Sequence, residues 1–360
     1  MGTTTTSTTM PDGDFTWELN PVPSGDDLGI DIDMVLTGGR AAISTRANGA
    51  NSPAFVLCAN AACTTVDSNQ ILTGPNLGGI SASIQIINDQ PVIASEALTD
   101  KALRVTLCTD LTCTGWDSND PLANGGGESS IVTINGLPVI GSFASEVDGG
   151  SIDIVACDNL ACTSSTATQV ATDVGPATQT SMAVVGGLPA IAYWNSSRDD
   201  LEYILCLTAD CSSRVSNRID GASGEVGRGI DMTVIGGFPV MSYQDDVNDT
   251  VVIARCVDTE CSTASINQVA GSSNVGTFTS IVGGPDGYAW VAFYNATNTS
   301  LEFANCENQT CSIVDFSTVD GAATGDGVGR YMVIVNIDGR PLIAYRDDGT
   351  DPGLKTAYGG

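Results

Sequence analysis

Histidine is absent from the 360-residue sequence. That absence removes every mechanism built on an imidazole, the Ser-His-Asp and Cys-His arrangements above all. Lysine is nearly absent: only Lys101 and Lys355 occur, and Lys plus Arg reach 13 against 42 Asp plus Glu, a formal charge of −29. Phosphate backbones are held by clustered Lys and Arg, so nucleic acid is excluded as a partner. An acidic membrane surface is disfavoured for the same reason. A surface this acidic suits a saline setting, and it also serves plain solubility. No run of 18 apolar residues exists, so membrane insertion through a helix is not expected. The first ten residues are polar and Thr-rich, without the apolar stretch of a signal peptide. They fit a chain whose leader has been removed, or a domain excised from a longer protein. Residues 1–13 read as a Thr-rich arm through which chains could self-assemble.

Glycine, by contrast, is abundant at 41, and aromatics make up 6%. This suits short strands joined by tight turns. The 12 cysteines fall in six C-x4-C pairs: Cys58 with Cys63, Cys108 with Cys113, Cys157 with Cys162, Cys206 with Cys211, Cys256 with Cys261, and Cys306 with Cys311. Structural zinc takes four ligands from close pairs, and here each pair stands alone with no His nearby. A thiol redox motif would be C-x-x-C. The spacing instead suits a disulfide across a four-residue hairpin loop, which implies an oxidising compartment and an extracellular, secreted or cell-surface location.

The pairs recur every 49 or 50 residues, and this period decides the fold. Each repeat holds four strand-like segments, a to d. Strand b reads Pro-x-Ile-Ala-Tyr, as in Pro189 to Tyr193 and Pro341 to Tyr345. Strand c runs into the first cysteine and strand d leaves the second. The apolar anchor of strand a recurs at Met34, Ile84, Ile131, Met182, Met232, Ile281 and Met332, which makes seven repeats. The seventh stops before any strand d. From Trp17 to Met34 is 17 residues, the same as from Val215 in a strand d to Met232. Residues 14–22 therefore have the spacing of an orphan strand d that completes the seventh repeat.

The expected fold is all-β: a seven-bladed β-propeller of four-stranded antiparallel blades, closed by the N-terminal strand. It occupies residues 14–360. The blades fall at approximately 28–73, 78–121, 127–171, 177–220, 228–270, 276–320 and 327–358. Seven strand-a residues, Asp33, Ser83, Ser130, Ser181, Asp231, Ser280 and Tyr331, would ring the central channel.

The repeat text, G-x-P-x-I-[AS]-Y-x-[DN] followed by L-x-x-C-x4-C, resembles that of secreted microbial β-propeller repeat proteins over residues 14–358. Propeller lectins are broadly similar in architecture, but their sugar-binding signatures are absent. So is the S-x-D-x-G-x-x-W box of sialidase-like propellers. The resemblance implies an architecture and no particular activity.

Chemistry is sparse. With its cysteines in bridges the chain has no thiolate nucleophile, and no G-x-S-x-G elbow or phosphate loop stands out. The b–c loops carry Asp245, Asp246 and Asp249 in blade 5 and Asp347, Asp348 and Asp351 in blade 7. Such oxygens could bind structural Ca²⁺ or sugars, and Asp and Asn are also what turns require. No other cofactor is expected. Sequons stand at Asn195, Asn248, Asn295, Asn298 and Asn308. The leading expectation is a non-enzymatic extracellular module for adhesion or filamentous surface assembly. Its partners would be other protein subunits or surface glycans. A carbohydrate-binding lectin stands behind it, and a glycoside hydrolase or lyase behind that.

Overall fold

Alternating apolar and polar residues, broken by Gly-Leu-Pro and Asp-rich turns, give strands of five to ten residues. The computed structural model describes residues 15–23, 27–74, 78–145, 149–221, 224–271, 274–321, 327–349 and 352–360. Seven four-stranded antiparallel sheets follow one another around a ring, at 30–71, 80–122, 127–172, 180–220, 226–271, 275–321 and 328–359. The last sheet gains its fourth strand from Trp17–Pro21, in the order N-terminal strand, c, b, a. The propeller fold expected from the sequence is the fold observed. The Thr-rich arm, residues 1–13, lies outside the described residues.

The closing strand pairs with Gly353–Gly359 from Trp17 opposite Gly359 to Pro21 opposite Lys355. The amides of Thr16 and Gly360 each donate to the other's carbonyl at 3.0 Å. Aromatic packing fixes it in place: Phe15 and Trp17 lie 5.0 and 5.2 Å from the Phe303 ring, edge-on. The chain thus closes its own ring, and strand c of the last blade has no free edge.

Strand b of each blade is buried almost throughout, as the Pro-x-Ile-Ala-Tyr run requires. Its small residue lets the next blade approach closely. A Cβ on Gly141 would meet the Ile191 and Met182 side chains at 2.6 and 2.8 Å.

The cysteines pair as the spacing predicts. Cys58 is bonded to Cys63, Cys108 to Cys113 and Cys157 to Cys162. Cys206 is bonded to Cys211, Cys256 to Cys261 and Cys306 to Cys311. Each bridge crosses a c–d hairpin with its Cα atoms 4.6–4.9 Å apart, and no cysteine is free. The second cysteine of every pair turns the hairpin in the left-handed region. Cys63, Cys113, Cys162, Cys211, Cys261 and Cys311 all take φ between 51° and 56°. Persistent disulfides place the folded chain in an oxidising compartment.

The polar ring of strand a is a girdle between blades. Each member accepts the amide of the following blade: Asp33 from Ile84 at 2.8 Å, Ser83 from Ile131 at 3.2 Å, Ser130 from Met182 at 3.0 Å. The series continues with Ser181 from Met232 at 3.0 Å, Asp231 from Ile281 at 2.9 Å and Ser280 from Ile334 at 3.1 Å. The seventh member is Val333, paired opposite Ala344, and the apolar anchor beside it is Ile334. The sequence expectation of Tyr331 and Met332 is therefore corrected by two residues. The bulge between Arg330 and Val333 matches that between Arg228 and Asp231, so the two extra residues lie ahead of strand a: Cys311 to Val333 is 22 residues where Cys211 to Asp231 is 20. The girdle's gap at Val333 falls where blade 7 meets blade 1. There Arg346 bridges instead, donating to the Asp27 carboxylate at 2.7 Å and the Leu28 carbonyl at 3.0 Å.

Burial pushes the Asp33 and Asp231 carboxyls above their ordinary value, against the pull of their hydrogen-bond donors. Asp231 accepts from the Ser181 and Ser280 hydroxyls and from two amides. Asp231→Ala orphans these donors and should cost about 3 kcal/mol. Urea unfolding of the variant checks this, and an unchanged midpoint would remove the girdle's role.

Candidate active site

Two positions before each girdle residue, strand a carries Asp31, Ser81, Glu128, Gln179, Gly229, Phe278 and Tyr331. Together they line an axial cavity of about 250 Å³. In every blade but the fourth a β-bulge falls between this position and the girdle or beside it. Asp31, Ser81, Glu128 and Tyr331 take φ values of 51°, 52°, 43° and 52° there. Non-glycine residues pay about 1–3 kcal/mol for this conformation, and such strain gathers where a side chain must be aimed. Here it is the sheets of four different blades that aim polar groups at one axis.

Ser81 joins two carboxyls. Its amide donates to Asp31 and its hydroxyl to Glu128. Burial pushes Glu128 up to about 7, and the neighbouring charges of Asp31 and Glu96 add to the shift. Asp31 is raised too, again by burial, while Arg46, 3.7 Å away, pulls it back. Tyr331 is held above its ordinary value by burial and then by Asp31. Glu96 is nearly buried and ion-paired to Lys101 at 2.6 Å. A carboxyl near 7 in a cavity wall is suited to proton transfer at neutral pH.

Ser81, Glu128 and Gln179 also line a second cavity, about 720 Å³, on the face formed by the b–c and d–a loops. Its walls include Phe143, Trp194, Arg228, Gln244 and Asp246. Arg228 stacks 4.7 Å from the centre of the Trp194 ring and pairs with Asp246 at 2.9 Å. The indole Nε1 of Trp194 and the Nε of Arg228 are buried and have no hydrogen-bond partner. Few buried donors go unpaired in a folded protein, so two in one cavity wall suit a ligand with acceptor groups.

Of the loop aspartates singled out from the sequence, only Asp246 reaches this cavity. Asp245 lines a separate hollow of about 380 Å³ with Asp220 and Asn248, and caps its own loop by accepting the Val247 and Asn248 amides. Asp249 supports the turn at φ 52°. Asp347 pairs with Lys355, and Asp348 accepts from Arg346 at 2.5 Å and lies 3.4 Å from Arg330. Asp351 lies outside the described residues. Among the described residues, no three Asp, Glu or Cys side chains are grouped so as to hold a metal ion.

The sequons differ in access. Asn195 is buried and donates to Glu202 at 3.0 Å, whereas Asn298 is exposed at a loop tip. Asn248 donates to Asp245 at 2.7 Å, Asn295 caps the Thr297 amide, and Asn308 caps Thr310 and Ser312. Sequence reasoning missed Glu128. Its parity with Ser130 places it on the inner face, but nothing in the repeat predicts the bulge or the blades that enclose it.

No protein-family model and no curated protein matches the chain. Solved structures do. The polysaccharide lyase Uly1 is 8% identical, over 98% of this chain and 93% of that one, at a TM-score of 0.58. The phage phi92 endosialidase is 9% identical over 96% of this chain and 69% of its own, at 0.54. A Hadza microbial sialidase is 10% identical over 87% and 75%, at 0.50. The chain spans only 35% of a bifunctional Bacteroides eggerthii protein that it also matches, at 0.41. At such identities the likeness establishes the fold.

These neighbours overturn the expectation of a non-enzymatic adhesion or assembly module. The rings that follow this chain along most of its length include a lyase and two sialidases. The case against an enzyme rested on the missing histidine, the bridged cysteines and the lack of a nucleophile or phosphate motif, and a buried carboxyl raised to about 7 lies outside all three.

Proposed function

We propose that this chain is an extracellular carbohydrate-processing enzyme that hydrolyses glycosidic bonds, with Glu128 as the proton donor. The observation that carries this is a carboxyl pushed up to about 7 in the wall of a cavity large enough for sugar rings. Protonated Glu128 gives its proton to the glycosidic oxygen. The C1–O bond breaks and its electron pair stays on the departing sugar. Water adds at C1 and loses a proton to solvent, from which Glu128 is protonated again. The raised donor matches the part of the acid in glycoside hydrolysis.

A reducing-end assay over a panel of polysaccharides between pH 5 and 8 tests the reading. Release by the native chain that disappears in Glu128→Gln is the expected result. A panel left intact, or a fully active Glu128→Gln chain, would remove it. The unpaired Trp194 donor leads to a second expectation. Trp194→Phe keeps an aromatic ring and loses the N–H, so oligosaccharide affinity should fall about fivefold to tenfold, worth about 1 kcal/mol. Isothermal calorimetry reads this, and an equal affinity would take Trp194 out of the binding site.

A further inference from the structure

Among the described residues one cation lines the cavity, Arg228, and its charge is met by Asp246 at 2.9 Å. Outside the lining, Arg46 stands 3.7 Å from Asp31 and Lys101 2.6 Å from Glu96. The pattern extends over the whole loop face. Arg104 pairs with Asp120, Arg198 with Glu202, Arg218 with Asp200, Arg330 with Asp348, Arg346 with Asp27 and Lys355 with Asp347. Among the described residues only Arg214, Arg255 and Arg340 lie outside any ion pair, and each of these donates to backbone carbonyls. They stand at the cysteine-hairpin and a–b-turn ends of their strands, remote from the cavity.

We infer that the cavity takes an uncharged glycan and discriminates against uronate- or sialate-bearing ones. The inference rests on the reading of this cavity as a glycosidic-bond-cleaving site. Recognition of a sugar carboxylate needs a guanidinium or ammonium whose charge is free to meet it. Here an incoming carboxylate must first displace Asp246 from Arg228, and it must do so beside Glu96 on a chain of formal charge −29. Hydroxyl groups face no such penalty. The Nε of Arg228 and the Nε1 of Trp194 are unpaired donors whose surroundings are already charge-balanced, and Gln179 and Gln244 add neutral amides. β-Elimination by a lyase also draws on a carboxylate in its substrate, so a carboxylate-free substrate agrees with hydrolysis.

The test compares initial rates of reducing-end release from uncharged polymers (laminarin, xylan, galactomannan, agarose) and anionic ones (pectate, alginate, polysialic acid). It uses the native chain, Glu128→Gln and Asp246→Asn, each first confirmed as folded by its melting transition. The native chain is expected to cleave an uncharged polymer at least about tenfold faster than any anionic one, with Glu128→Gln inactive. Asp246→Asn leaves the Arg228 charge unpaired and should narrow that preference by about tenfold. Faster cleavage of an anionic polymer, lost in Glu128→Gln, would overturn the substrate class and leave the hydrolytic reading standing. An unchanged preference in Asp246→Asn would overturn the charge-pairing explanation. Cleavage of neither class would overturn the hydrolytic reading and the substrate class with it.

Discussion

Glu128→Gln is expected to lower the rate of glycosidic cleavage by about 10²- to 10⁴-fold, the usual contribution of a positioned proton donor. The amide keeps the shape of the side chain and an oxygen to accept from Ser81, but has no proton to give. The pH behaviour carries an independent sign. In the folded chain Glu128 is raised from 4.5 to about 7. The protonated form therefore suits the folded state. The stability that Glu128 contributes is fully present below about 4.5 and is lost as pH rises through about 7. Above 7 the native chain holds a charge that its surroundings disfavour, and the amide variant does not. Glu128→Gln should thus melt with the native chain near pH 4.5 and above it at pH 8. A shift of this size corresponds to about 3 kcal/mol for a carboxyl cut off from solvent. Glu128 keeps some contact with the open cavity, so the gain should fall short of that. Native activity should decline as pH rises through 7, because the donor loses its proton. A rising limb there would instead make Glu128 a base, as proton abstraction requires. Calorimetric scans and pH–rate profiles of the two chains together decide the matter. Equal melting at pH 8 would show that the carboxyl is not raised.

Removal of residues 1–20 should destabilise the ring by about 5 kcal/mol and cause aggregation. The deletion takes away the aromatic contacts of Phe15 and Trp17 with Phe303, and with them the hydrogen bond that Trp17 Nε1 donates to the Ser317 hydroxyl. It also strips the backbone ladder from Gly353–Gly359, which becomes an open strand edge. The melting temperature should fall by roughly 10 °C, and light scattering should show association of the exposed edges. Trp17→Ala keeps the ladder and should give only a part of the loss. A truncated chain that stays monomeric and melts with the native one would show that the ring closes without this strand.

What the sequence by itself determined is the architecture. A period of 49 or 50 residues, an alternating pattern and paired cysteines are local, repeated signals, and each blade answers to its own residues. The bridges were legible for the same reason, since Cys58 and Cys63, like the five later pairs, stand five residues apart across one hairpin. The closing strand was legible in part: a missing strand at one end and a strand of matching spacing at the other point to closure, and they leave open whether the strand serves its own ring or a neighbour's, which the pairing of Trp17–Pro21 with Gly353–Gly359 decides. The site was not legible, for two physical reasons. The first is register. Bulges interrupt strand a in six blades, and the last blade has two more residues between Cys311 and its girdle position than blade 5 has after Cys211, so Val333 and Ile334 take the places where an even repeat puts Tyr331 and Met332. The second is assembly. Asp31, Ser81 and Glu128 are about fifty residues apart in the chain and belong to three blades, and only ring closure brings them to one axis. A carboxyl's proton affinity depends on what surrounds it in space. Nothing in the run Gly127-Glu128-Ser129 separates Glu128 from the solvated acids of the loops. The tertiary structure encloses Glu128 beside Asp31 and Glu96. It also spends Asp246, Asp347 and Asp348, three of the aspartates expected to hold calcium, on neutralising the cations of the same face.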